Sequence, residues 1–107
     1  MPEIMSEQTF RVEADKAIEA ARLSLMPIAD AEGFDLEIEG GVMSVLFDEP
    51  TAARFVVSPN APARQVWVSA LVRSFKLSWS AELGAFALDG ETLAPLLERL
   101  AIQQLKS

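Results

Sequence analysis

Apolar residues recur at Phe10, Ala14, Ala17, Ile18, Ala21 and Leu25, a spacing that keeps them on one stripe of an α-helix. The pattern predicts a helix over 6–26. Ser6 serves as its N-cap and Glu7 lies in the first turn, where a side-chain acceptor and a negative charge both answer exposed N–H groups. Glu7 with Arg11 at i,i+4 and Glu19 with Arg22 at i,i+3 support the wet side by about 0.2–0.5 kcal/mol each. Asp15 and Glu19, also four apart, repel by a similar amount, a conflict that a bound cation would relieve. Pro27 predicts the last turn, with 29–33 as the connection.

The period then changes from helical to alternating. Residues 34–47 read as two strands around Gly40-Gly41, a strong hairpin signal. Phe34, Leu36 and Ile38 fall on one parity and Asp35, Glu37 and Glu39 on the other. Three carboxylates on one face suit a strand at or near a sheet edge. Met43, Val45 and Phe47 form the inward parity of the second strand, and Phe55 and Val57 that of a third over 53–58. Pro59 and Pro62 then break the chain. After them Arg64, Val66 and Val68 point one way and Gln65, Trp67 and Ser69 the other. A fifth strand over 74–79 carries Phe75, Leu77 and Trp79 inward, and 85–88 forms a short sixth. Asp89-Gly90 reads as a turn that also caps a closing helix with Leu93, Leu96, Leu97, Leu100 and Ala101 on its apolar stripe. Pro95 is tolerated there because it lies in the first turns.

Two helices with one apolar stripe each and strands with one apolar face predict a two-layer α-β sandwich of the α+β class. Both helices lie on one face of a five- or six-stranded antiparallel sheet. The other face keeps Gln65 and Trp67. That indole is either covered by a neighbouring long side chain or offered for docking, since tryptophan is enriched among residues that dominate binding energy. Trp79 follows the core parity and reads as packing.

A chain of 107 residues suits one domain spanning 1–107. It contains no Cys and no His, which removes thiolate chemistry, the usual general base and the commonest metal ligand. Any metal must sit on oxygen. The opening Met-Pro-Glu-Ile has neither the basic start nor the apolar run of a targeting segment. No stretch is long and apolar enough for a membrane span, so the expected location is the cytoplasm. The net charge of −7 is unevenly placed: residues 1–39 hold ten acidic and three basic side chains, and the remainder six of each. This excess argues against nucleic acid and for a cation or a basic protein surface, or simply for a solvated face.

Several local strings resemble the frataxin family in its short bacterial form. They are Glu-Ile-Glu-Gly-Gly-Val at 37–42, Pro-Ala-Arg-Gln-Val-Trp-Val-Ser at 62–69, and Gly-Glu-Thr-Leu at 90–93 followed by Leu-Leu-Glu at 96–98. The resemblance implies a non-enzymatic protein that binds iron weakly, as Fe2+ or Fe3+, along an acidic ridge. It also implies docking to a cysteine desulfurase and the scaffold of iron-sulfur cluster assembly, which the protein modulates. Asp15 and Asp35 fall on ridge positions; Glu19, Asp30 and Glu32 complete the carboxylate candidates. Gln65 and Trp67 match the family's sheet-surface pair, Ser58 and Asn60 stand where relatives carry Asn and Gln, and Arg73 is the basic contact expected beside them. The last turns of the helix, often acidic in bacterial members, are here Arg22, Leu23, Leu25, Met26 and Pro27, so the ridge is thin. A tryptophan late in the family's sheet is replaced near Gly84 and Phe86.

The competing expectation is an acidic binding module of the secretion-chaperone type, a dimer with apolar surface grooves; the frataxin reading expects a monomer. An enzyme would need paired carboxylates in a cleft, whereas the acids here lie on helix and strand exteriors.

Overall fold

A computed structural model describes residues 5–106; the opening Met-Pro-Glu-Ile, read above for targeting signals, lies outside them. The order is α1 (Glu7–Glu32), β1 (Asp35–Glu39), β2 (Val42–Phe47), β3 (Ala53–Asn60), β4 (Gln65–Ala70), β5 (Arg73–Ser80), β6 (Ala85–Leu88), β7 (Glu91–Thr92) and α2 (Leu93–Leu105). All seven strands pair antiparallel with their sequence neighbours. The sheet is therefore a meander with β1 at one edge and β7 leading into α2 at the other. No described helix is long and apolar enough to cross a membrane.

Ser6 caps α1 as its sequence demands, its Oγ accepting from the Thr9 N–H at 3.1 Å. The buried stripe is Phe10, Ala14, Ile18, Ala21, Leu25 and Ala29. It packs beside α2, whose buried face is Leu93, Leu96, Leu97, Leu100, Ala101 and Gln104. Small alanines on α1 let the helices approach, and Ser24 donates across the gap to Glu98. Beneath them lie Met43, Val45, Phe55, Val57, Val66, Val68, Phe75 and Leu77, all buried. Phe86 joins the layers edge-on to Phe10 at 5.6 Å and to Trp79 at 5.2 Å. Both helices thus shield one side of the sheet only.

Several expectations need correction. Pro27 does not end α1; the helix continues to Gly33, whose φ of 82° forms the left-handed cap and whose N–H donates to Ala29 O at 2.7 Å. Burial of Ala29 and Phe34 holds the extra turn over the core despite the amide that proline lacks. Pro59 lies inside β3, paired with Val66. Arg64 is not a strand residue: with φ of 54° it closes the β3–β4 turn, donating to Met5 O at 2.9 Å and to Ala61 O. Ile38 is exposed, since β1 is the edge strand, with no neighbour on its outer side. The seventh strand, only Glu91 and Thr92 long, exceeds the predicted five or six. Asp89-Gly90 forms the β6–β7 turn, and the helix cap position is Thr92, which makes no side-chain capping bond.

The β4–β5 turn is the least expected local structure. Ala70 pairs with Arg73, leaving Leu71 and Val72 as the two central residues, with φ of 54° and 60°. Both dihedrals positive is the arrangement that favours Asn-Gly; an L-residue with a Cβ meets a penalty of about 1–2 kcal/mol at each such position.

Pro27 supplies a direct stability test. A proline within a helix costs about 3 kcal/mol relative to alanine, offset by about 0.4–1 kcal/mol through the stiffer unfolded chain. Pro27→Ala is therefore expected to raise stability by about 2 kcal/mol in urea unfolding with an unchanged m-value; a lower midpoint would show that the proline suits the helix.

Candidate functional site

The register brings most of the predicted docking residues together. Trp67 on β4 stands opposite Ser58 on β3 and Lys76 on β5, and Gln65 opposite Asn60 and Ser78. Because paired residues share a face, and Val66 and Val68 fill the core, this set lies on the side away from the helices. The indole is 36% exposed yet held in place. Its Nε1–H donates to Gln65 Oε1 at 2.9 Å, and Gln65 Nε2 donates to Ser78 Oγ at 3.1 Å. Lys76 Nζ lies 4.9 Å from the ring centroid, within the range of a cation–π contact. A long side chain thus leans on Trp67, while about one third of the indole stays open to solvent. Asn60 directs its Oδ1 to the Ala63 N–H at 2.9 Å, so its acceptor belongs to the β3–β4 turn. A shallow groove of about 320 Å³ runs along Val56, Ser58, Trp67, Ser69, Ser74 and Lys76.

Arg73 is not part of this face. It pairs with Ala70 on the core parity and folds its guanidinium over Phe75 at 4.9 Å, at the rim by the β4–β5 tip. The basic neighbour of Trp67 is Lys76. A two-residue turn at 71–72 would have given that pairing from sequence, but Leu-Val carries none of the usual turn chemistry.

The carboxylates are spread out rather than gathered. Asp15 Oδ1 lies 3.8 Å from where a Gly41 side chain would begin, beside the β1–β2 hairpin. Asp35 starts β1 six residues earlier, roughly 20 Å away at about 3.3 Å per residue. Asp35, Glu37 and Glu39 pair with Leu46, Ser44 and Val42, on the uncovered side at the sheet edge. Glu19 is clasped by Arg22 through contacts of 2.5 and 2.9 Å, and Asp30 and Glu32 are exposed at the end of α1. Among the described residues no three Asp or Glu come together closely enough to hold one ion.

Hydrogen bonds from arginine hold three carboxyls below their ordinary range: Arg11 acts on Glu7, Arg22 on Glu19 and Arg99 on Glu91. Their charge is thus already answered by a partner. Residues 50–81 hold Arg54, Arg64, Arg73 and Lys76 and no Asp or Glu. Of these, Arg54 and Lys76 lie on the uncovered face, which therefore runs from an acidic edge at β1 to a centre at β3–β5 that carries two cations and no carboxylate.

The iron-sulfur cluster assembly protein CyaY of Pseudomonas aeruginosa is 36% identical over 72 residues, 65% of each chain. That of Pseudomonas paraeruginosa is 30% identical over 91 residues, 81% of this chain and 82% of the relative. Frataxin from Psychromonas ingrahamii superposes with a TM-score of 0.68 over 96% of this chain and 94% of its own, at 14% identity, a likeness of fold. The family model of the frataxin-like domain matches residues 3–107, and the chain belongs to that family.

Proposed function

We propose that this protein serves iron-sulfur cluster assembly as a binding protein, docking through its uncovered sheet face to a cysteine desulfurase and its scaffold protein in the cytoplasm, and meeting iron along its acidic edge. The observation that carries the reading is the state of Trp67: partly exposed, with its N–H, its ring face and its Gln65 neighbour all fixed by other side chains. A large side chain already held in one rotamer loses little further freedom on binding. Burying its open edge then contributes apolar area, while Lys76, Ser58 and Gln65 offer polar rim contacts. This is the anatomy of an interface hot spot.

Iron in this account is cargo, met by hydrated carboxylates rather than by a cage. One or two oxygen ligands without a fixed geometry select poorly among hard cations. Asp15 and Asp35 serve separate weak contacts, and Glu19 must first leave Arg22. The weak, dispersed binding suits modulation of an assembly more than storage of metal.

Trp67→Ala is expected to leave folding intact, because the indole sits outside the core, and to weaken binding to an immobilised cysteine desulfurase–scaffold complex by at least ~30-fold, the scale of a hot spot of about 2 kcal/mol. Unchanged affinity would remove Trp67 from the interface. For iron, a ferrous titration followed by NMR should broaden amides around Asp15 and Asp35 in the native protein. Arg22→Ala, by releasing Glu19 one helical turn from Asp15, should draw the strongest broadening to that pair and tighten uptake several-fold; broadening confined to α2 would contradict the acidic edge as the metal surface.

A further inference from the structure

The β4–β5 hairpin tip is built against its own conformational preference. Leu71 and Val72 both hold positive φ, and Val72 is the most exposed large hydrophobic side chain described, fully open to solvent. A β-branched residue at positive φ is a true outlier; Leu71 is half-buried against the core, but neither the strain at Val72 nor its exposure benefits the isolated monomer. Strain of this kind gathers where a surface works on another molecule. The tip is also positioned with firmness: the pairs Val68↔Phe75, Ser69↔Ser74 and Ala70↔Arg73 continue the ladder to the turn itself. Val72 is thus a small apolar knob on a stiff two-stranded arm.

The surroundings state what it would enter. Arg73 follows Val72 directly, its guanidinium stacked on Phe75. Arg54 on β3 pairs with Leu46 and leans toward Ser44, 3.1 Å from its Oγ. Lys76 lies three residues farther along β5, on the Trp67 side. No Asp or Glu occurs in 50–81, so the knob projects from cationic ground in a protein of net charge −7. We infer that the Leu71-Val72 tip is a docking prong that inserts into an apolar pocket rimmed by carboxylates on a protein partner. The inference rests on the docking reading above and identifies the partner feature that this hairpin engages. Opposite charges around such a pocket would fix register and speed encounter, with a salt dependence that the apolar insertion itself lacks.

The test pairs two variants with Trp67→Ala against an immobilised cysteine desulfurase–scaffold complex. Leu71→Asn with Val72→Gly keeps the same turn with residues suited to it, and Val72→Asp adds charge repulsion. The double variant, which relieves the turn while giving up the core contact of Leu71, is expected to keep a near-native urea midpoint and yet weaken binding about tenfold; Val72→Asp should weaken it more, and Arg73→Ala should flatten the salt dependence. If the native protein binds, Trp67→Ala weakens it and the double variant does not, the prong is overturned while the docking face stands. If the native protein does not bind at all, both fall. Loss of co-sedimentation with phosphatidylglycerol-containing vesicles in the double variant, with binding to the complex unchanged, would overturn the protein pocket in favour of a membrane surface.

Discussion

Burial of a single sheet face beneath two helices is the constraint from which the rest follows. The strands can alternate only if one parity is apolar, and Met43, Val45, Phe55, Val57, Val66, Val68, Phe75 and Leu77 fill that parity without an interruption by charge. The helices answer with one stripe each. A slip of one residue in any ladder would carry valines into water and Trp67 or Lys76 into the core. The same packing that defines the core therefore defines the opposite surface, including which side chains stand beside Trp67.

Charge divides that surface along the strand order. The meander places β1, with its three outward carboxylates, at an edge. It gathers β3, β4 and β5, free of acids, at the centre. Topology thus turns an uneven charge distribution along the sequence into a spatial gradient across one face. A cation and a protein partner would meet different zones of it, so neither needs to displace the other. Within the acidic zone, the arginines of α1 already neutralise Glu7 and Glu19, which is why the edge contributes fewer free carboxylates than its composition suggests.

What could be read from the chain was whatever rests on period and parity. The α1 stripe, the Gly40-Gly41 hairpin, the buried valines of β4 and the outward Trp67 all depend on side-chain direction, which alternates or rotates by rule. What could not be read depends on contacts made far away in sequence. Ala29 and Phe34 hold α1 together beyond Pro27, and the pairing of Pro59 with Val66 keeps β3 extended. Arg64 leaves the strand because Met5 O is there to receive it. That Lys76 rather than Arg73 stands beside Trp67 is hidden in the sequence, because the Leu71-Val72 turn has no glycine or asparagine to set the β4–β5 register. Among the metal candidates the residue types were legible but their separation was not: Asp15 sits by the hairpin and Asp35 at the other end of β1.

The account stands most directly on the accessibility of one indole before and after docking. In a Trp79→Phe background Trp67 is the only fluorophore of its kind, so acrylamide quenching reports on it alone. The predicted result is ready quenching in the free protein and a several-fold smaller quenching constant once a saturating, tryptophan-free form of the desulfurase–scaffold complex is added. Weak quenching in the free protein, or strong quenching that the complex leaves unchanged, would contradict a sheet face left open for a partner.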